Sequence, residues 1–517
     1  MTNKDSRSGN FSRNAVFAAC SELMTVLLNF AVRYFFVRSL NVEYLGVRGL
    51  FSSILTILSM AELGVGTAIV YSMYQPLAVG DQEKIKSLVA FYKKAYSIIG
   101  TVVFVLGLAL IPAFDFFIKE APWISRGELL QIYVLTVFQT ASTYFFSYKY
   151  SIFNANQQGY IVQKWSIATS IVCSLGQILI LVFLRNYLLY LVVSIVSSLL
   201  MNILLSIAAE RTYPYLKDQA EKLDRESTAQ IKQNTVAMLF YKVGQVTATT
   251  IDTLLISRFF GLASVGLYSN YHLIISYSDK LFSSVLGTIT PSLGNLMAGK
   301  DRFKQNQVFS ALQLVYYWLS TYLAVGLVVL FNPLIELVFG KDYLFDKNFV
   351  IALVVSITLT NFQRPCSLIR DASGLFWYGK FRPLLMSILN VAYSLAAIHF
   401  WGIIGVVIGT ALAKLNTYVW YDPYIVFKHA LAGKLSEYFK TYILHWGLLV
   451  LLSAGCELLF NLMNVSGLLG LVLGALMITI VVNSIYYMIY RRSKSFGYVL
   501  KLINNVMGTR SRFSRNV

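Results

Sequence analysis

Charge is what this chain of 517 residues has least of: 13% of its residues are charged and 57% are hydrophobic. Soluble domains carry charge on about a quarter of their residues, so this balance excludes an ordinary soluble globule. The shortage is also lopsided, with 24 Asp and Glu against 43 Lys and Arg and a net charge of +19. Those basic residues flank apolar runs instead of forming a patch, which excludes nucleic acid as the partner of the charge. Cysteine is scarce too. Cys20, Cys173, Cys366 and Cys456 are scattered through apolar runs without a CxxC pair, so neither a disulfide framework nor a metal site is expected. No Walker-type loop is present, which removes direct ATP hydrolysis, and no cofactor is implied. None of the four histidines, His272, His399, His429 and His445, pairs with a carboxylate in an outer loop.

What the chain does have is length of apolar sequence. Fourteen runs of roughly 20 to 30 residues are long enough to cross a bilayer. Their limits are 14–39, 46–74, 88–112, 128–150, 160–184 and 187–209, then 232–259, 264–297, 306–331, 347–371, 378–400 and 402–428, then 437–461 and 465–490. An all-α integral membrane protein is therefore expected. Its parts are a polar N-terminal tail (1–13), a six-helix bundle (14–209), a charged linker (210–231), a second bundle (232–428), an additional helix pair (437–490) and a basic tail (491–517). The first run is longer than a signal-peptide core and lacks a small-residue cleavage pattern, so it is expected to be retained. With the N-terminus inside, 30 Lys and Arg fall on the inner side, 8 on the outer and 5 within runs. That asymmetry places both termini in the cytoplasm. The basic tail is either part of this topology signal or a contact for anionic lipid head groups.

The runs repeat. Glu22, Thr25, Asn29 and Arg33 are three or four residues apart and stack on one helical face, and Lys242, Gln245, Thr249 and Thr253 hold the same positions shifted by 220, with Asp252 beside them. Arg48, Ser52, Ser59, Glu62 and Gly66 share a face of the second run, as do Ser269, His272, Ser276, Asp279 and Ser283 of the eighth. Two homologous halves around a hydrated cleft are the expected arrangement. Glu22, Arg33, Glu62, Lys242, Asp252, Asp279, Lys280, Arg364 and Lys414 lie within spans. Each would cost about 2.5 to 3.5 kcal/mol at the bilayer centre, so they cannot all face lipid. Arg364 and Arg33 lie near helix ends, where a long side chain can snorkel, and Glu22, Glu62, Lys242 and Asp252 are expected to line a wet interior. Glu22 and Lys242, opposite in charge and equivalent in the repeat, either pair to close a gate or find separate local partners.

Several strings carry a resemblance. Tyr44-Leu-Gly-Val-Arg-Gly-Leu-Phe, Ala61-Glu-Leu-Gly-Val-Gly-Thr-Ala-Ile and Tyr74-Gln-Pro-Leu-Ala are followed by Val265-Gly-Leu-Tyr-Ser-Asn-Tyr, Thr290-Pro-Ser-Leu-Gly-Asn, Asp371-Ala-Ser-Gly-Leu-Phe-Trp-Tyr-Gly-Lys-Phe-Arg-Pro, Gly402-Ile-Ile-Gly-Val-Val-Ile-Gly-Thr and Asp422-Pro-Tyr-Ile-Val-Phe-Lys. In this order the chain resembles the polysaccharide repeat-unit flippases of the multidrug, oligosaccharidyl-lipid and polysaccharide (MOP) exporter superfamily. The resemblance implies two six-helix bundles facing each other, with a final helix pair forming a groove for a lipid tail. It implies turnover of an undecaprenyl-diphosphate-linked oligosaccharide from the inner to the outer leaflet of the bacterial cytoplasmic membrane, alongside other polysaccharide assembly proteins; the sequence does not specify the driving force, Na+ or H+ being the candidate coupling ions.

A sugar diphosphate crossing hydrocarbon needs a polar cavity with cationic partners. Arg33, Lys242, Arg48 and Lys280 supply charge for it, and Glu22, Asn29 and Glu62 complete the polar lining. Arg33 either contacts the head group or anchors at the outer interface. Asp252, Asn390, Ser394 and Thr410 are oxygen-bearing, as a hard cation requires. They resemble a sodium site of related flippases, with Ser394 where a second carboxylate would stand; the other reading is a structural hydrogen-bond cluster. Two rival functions are a drug or cation antiporter of the same superfamily and a membrane-embedded glycan polymerase or ligase.

Overall fold

The computed structural model describes residues 4–62, 64–119, 121–287, 301–375 and 377–501, with residues 293, 294, 296, 297 and 299 between them. Within its helices the side chains of 4–16, 18, 19, 61, 230, 233, 234, 236–245, 247–249 and 281–287 are outside the description. Among the described residues every regular element is a helix. In order these are α1 (Lys4–Ser39), α2 (Val42–Leu58), α3 (Val65–Val79), α4 (Gln82–Ala109), α5 (Arg126–Ala155), α6 (Gly159–Leu179), α7 (Tyr187–Thr212), α8 (Arg225–Gly287), α9 (Arg302–Phe339), α10 (Lys347–Ala372), α11 (Arg382–Trp401), α12 (Ile403–Asn416), α13 (Tyr418–His429), α14 (Leu435–Met463) and α15 (Gly467–Tyr490).

The 220-residue offset governs where helices begin. Gln82 opens α4 and Arg302 opens α9, and the residues before them, Asp81 and Asp301, cap the two helices alike: each carboxylate accepts from the backbone N–H three residues on, at 2.9 Å. A side-chain oxygen at this position satisfies an orphan donor of the first turn. Asn41, Ser125 and Asn186 do the same for α2, α5 and α7. The architecture is thus an all-helical membrane fold with an internal repeat, followed by the α14–α15 pair.

Twelve helices among the described residues are long and apolar enough to span a bilayer, against the fourteen runs expected. Two local features account for the difference. The second run is not one helix: α2 ends at Leu58, a tight 3₁₀ turn occupies Ser59–Glu62, and α3 restarts at Val65. Its pieces are 17 and 15 residues long, each short of a full crossing. At Gly64 a Cβ would stand 2.6 Å from the Thr235 carbonyl oxygen, so the backbones meet where the helix breaks. The seventh and eighth runs join in α8, which turns at Gly261 (φ 81°, ψ 174°), a conformation that favours glycine.

The chain divides into two compact units, Met1–Ser269 and Asn270–Val517, with the division inside α8. In the first, a core of Leu88, Tyr92, Tyr96, Val103, Tyr144, Ile152 and Phe153 is packed between α4 and α5. In the second, Phe309, Tyr317, Phe362, Cys366, Tyr438 and Tyr442 draw α9, α10 and α14 together. Polar side chains tie the final pair to this core. Trp318 Nε1 donates to Asn483 Oδ1 at 2.9 Å, Thr321 and Tyr486 share a hydrogen bond of 2.7 Å, and Lys347 pairs with Glu457 at 2.9 Å. Leu444, Val450, Leu451, Leu458 and Leu462 of α14 and Leu476 and Ile480 of α15 are exposed, an outer surface suited to hydrocarbon. The protein is a multi-pass membrane protein.

Candidate functional site: charges within the spans

Three ionisable stripe residues of the first unit sit in different settings. Arg33, on α1, donates from Nη2 to Ser269 Oγ. Ser269 is a fixed polar partner within the first unit. Arg48, on α2, donates from Nη1 to the Tyr190 hydroxyl at 2.6 Å, with its guanidinium 5.9 Å from the centre of that ring. Tyr190 stacks on Tyr187 at 5.8 Å, and both rings meet Phe36 edge-on, so one arginine is held by an aromatic wall built from α1 and α7. Arg33 and Arg48 both lie within electrostatic reach of Tyr187. Guanidinium groups such as these two are suited to oxyanions.

Glu62 closes the 3₁₀ turn between α2 and α3. Its carboxylate accepts from the Tyr96 hydroxyl at 2.7 Å and the Tyr144 hydroxyl at 3.3 Å, and Tyr92 donates to Tyr96 at 3.0 Å. Gly66 makes room for this relay, because a Cβ there would fall 2.5 Å from the Tyr96 oxygen and 2.8 Å from that of Tyr92. The helical face expected for Arg48, Ser52, Ser59, Glu62 and Gly66 does not survive the turn at Ser59–Glu62, which changes the angular step and separates Glu62 and Gly66 from the Arg48 stripe. Glu22 and Asn29 are half-buried on α1. The side chain of Lys242 lies outside the described residues, and with it the proposed pairing to Glu22. Asp252 is half-buried on α8, within electrostatic reach of the buried Tyr268.

In the second unit Lys280 is exposed, with its ammonium 5.5 Å from the centre of the Tyr277 ring. Arg364, a candidate to snorkel, pairs with Asp279 at 3.2 Å, so two in-span charges of opposite sign neutralise each other. Lys414 donates to the Ser356 carbonyl at 2.9 Å and to its hydroxyl at 3.0 Å. Asn390, Ser394 and Thr410 come together: the hydroxyls of Ser394 and Thr410 each lie 3.0 Å from Asn390 Oδ1 as donors, and all three residues are buried. Asp252 belongs to the first unit and these three to the second.

Sequence reasoning missed the largest buried charge network among the described residues. Asp422, fully buried on α13, accepts from Arg370 Nη1 with both oxygens, at 2.9 and 3.1 Å, and also pairs with Arg382. Gln363 and Ser367 donate to its Oδ2. Arg370 turns its other edge to Asp371, at 2.7 and 3.0 Å, and the Arg382 guanidinium stands 4.4 Å from the centre of the Tyr418 ring. The first unit has a lighter pair between its corresponding helices, Lys149 of α5 with Glu210 of α7. The signal lay in two of the quoted strings, which begin with Asp371 and Asp422. An apolar cleft of about 220 Å³ lies between α9 and α15, lined by Leu314, Trp318, Leu319 and Phe496.

No family model matches the chain, and no curated protein matches it by sequence. Solved structures do match in fold. Lipid II flippase MurJ, in an inward closed conformation, aligns over 93% of this chain and 99% of its own at a TM-score of 0.62 and 15% identity. An inward-facing multidrug resistance MATE family transporter of the MOP superfamily aligns over 83% of this chain and 99% of its own, at 0.61 and 15%. The Vibrio cholerae MATE transporter VcmN aligns over 84% and 100%, at 0.57 and 15%. The chain has the fold of MOP-superfamily membrane transporters.

Proposed function

We propose that this protein is a flippase that carries an undecaprenyl-diphosphate-linked oligosaccharide from the inner to the outer leaflet of a bacterial cytoplasmic membrane by alternating access, with both termini in the cytoplasm. The observation that carries this reading is coverage. The lipid II flippase fold accounts for 93% of the chain and the MATE transporter folds for 83% and 84%. The difference is about the size of the α14–α15 pair, 29 and 24 residues long. In this reading the pair, with the apolar cleft against α9, holds a lipid tail in contact with the bilayer. Arg33 and Arg48 receive the diphosphate, because guanidinium forks match phosphate oxygens, and Lys242 and Lys280 add charge along the path. Glu22, Asn29 and Glu62 supply polar lining, and a Na+ or H+ gradient drives the cycle.

The alternative, an antiporter for drugs or cations, is favoured by one feature: Glu62 within its tyrosines is a carboxylate and aromatic site of the kind that takes an organic cation. One experiment separates the two. The purified chain is reconstituted in liposomes with a fluorescent undecaprenyl-diphosphate sugar, and the fraction reaching the far leaflet is measured with a membrane-impermeant quencher. The flippase reading expects protein-dependent movement of the lipid-linked sugar; its absence, with uptake of ethidium against a proton gradient, would establish the antiporter.

A further inference from the structure

A polar cavity in the first unit plays no part in the site above. It measures about 620 Å³, within the roughly 300 to 1,000 Å³ usual for ligand clefts. Tyr71, Tyr74 and Gln75 line it from α3, Asp81 and Lys84 from the start of α4, and Ser227 from the first turn of α8. Its two tyrosines are unlike their neighbours. Tyr92, Tyr96, Tyr144 and Tyr148 of the same unit are buried, whereas Tyr71 is 64% and Tyr74 49% exposed. Their ring centres are 6.0 Å apart at an interplanar angle of 79°, so the two rings form a corner in the lining of the cavity. Tyrosine provides this surface at little entropic cost, with two side-chain torsions and a hydroxyl at the tip.

Charge narrows the occupant. Among the described residues the basic group lining the cavity is Lys84, which pairs with Asp224 at 3.2 Å while Asp81 accepts from its backbone N–H at 2.9 Å. The Ser227 backbone N–H, the Ser227 hydroxyl and the Lys84 ammonium hold the Asp224 carboxyl down at about 2, so it is ionised at any physiological pH. One cation beside two carboxylates gives a local balance that repels a phosphate. An uncharged ligand with hydroxyl groups and an apolar face suits the remaining surface: C–H faces against the rings, hydroxyls toward Gln75, Ser227 and the carboxylates.

We propose that the cavity bounded by Tyr71 and Tyr74 is a saccharide subsite that takes a neutral sugar ring of the transported lipid and excludes its diphosphate. The proposal rests on the flippase reading. It assigns recognition of sugar and of phosphate to separate places in the first unit, the tyrosine corner and the guanidiniums of Arg33 and Arg48. The test uses the full chain in nanodiscs with two probes, bare undecaprenyl diphosphate and undecaprenyl diphosphate bearing a neutral tetrasaccharide, whose outer rings lie away from the diphosphate, titrated by native mass spectrometry. Wild type should bind the sugar-bearing lipid about fivefold tighter than the bare one. Tyr71→Ala with Tyr74→Ala should abolish that preference and leave the bare lipid bound within about twofold, and Tyr71→Phe with Tyr74→Phe, which keeps both rings, should retain it. A double alanine variant that keeps the preference, or that loses both lipids equally, overturns the subsite. Equal binding of the two probes by wild type overturns it too and leaves the flippase reading standing; binding of neither overturns both.

Discussion

Gly46 and Gly266 are 220 residues apart and pack reciprocally: a Cβ on Gly46 would fall 1.9 Å from the Leu262 carbonyl oxygen, and one on Gly266 would fall 2.3 Å from that of Val42. Leu262 is Val42 shifted by the same 220, so within the first unit α2 and the second arm of α8 cross at equivalent points. Helices approach this closely only where side chains are absent. Gly46→Ala places a methyl group against backbone that cannot swing aside. It should lower lipid flipping by about tenfold or more, whereas Gly49→Ala, whose Cβ meets only a Val265 methyl at 3.2 Å, should stay within about twofold. Flipping normalised to membrane level in both variants checks this.

Arg33 donates to Ser269 through one edge of its guanidinium. If the group also meets the diphosphate, it needs the planar fork that lysine lacks. Arg33→Lys should therefore reduce transport by about tenfold at unchanged membrane level, and Lys494→Ala, in the exposed tail, should be silent. Normal flipping by Arg33→Lys removes Arg33 from the site.

The pair between Arg370 and Asp422 is almost free of solvent, whereas Lys149 and Glu210 are each about a quarter exposed. Removing one member of a buried pair leaves the other charge uncompensated, at about 3 to 5 kcal/mol, while exposed pairs contribute about 0 to 1. Asp422→Asn removes the buried carboxylate that Arg370 and Arg382 share and should lower the thermal midpoint and the membrane level far more than Glu210→Gln. Equal shifts in a fluorescence melt would show that the Asp422 network is as lightly held as the surface pair.

The helical class and most helix limits could be read from the sequence because hydrophobic period acts within one or two turns. The repeat could be read because the same polar pattern recurs 220 residues on. What escaped depends on distant partners. The break after Leu58 follows from backbone contact between Gly64 and Thr235, 171 residues away in the chain. Arg364 looked like an interfacial anchor because nothing beside it in the sequence announces Asp279. Arg370 and Arg382 were counted by their side of the membrane, a tally that cannot reveal their convergence on Asp422.

Asn390, Ser394 and Thr410 bear on the driving ion. Asn390 Oδ1 already accepts from both hydroxyls, and Ser394 and Thr410 each have a second acceptor in the Val406 carbonyl, at 3.1 and 3.2 Å. Gly405 and Gly409 allow the approach: Cβ atoms there would stand 2.4 Å from the Ala397 backbone and 2.3 Å from Ser394 Oγ. Asn390 Oδ1, which accepts both bonds, must give them up before it can ligate a hard cation, and such a cation takes about six or more oxygen ligands. The cluster is therefore expected to hold α11 against α12. Ser394→Ala should cost about 1 kcal/mol of stability and leave transport unchanged. Flipping should run equally fast when sodium is replaced by choline, and Asp252→Asn should not alter that. A rate that falls without sodium, and no longer responds to it in Ser394→Ala, would make these oxygens an ion site and overturn the structural reading.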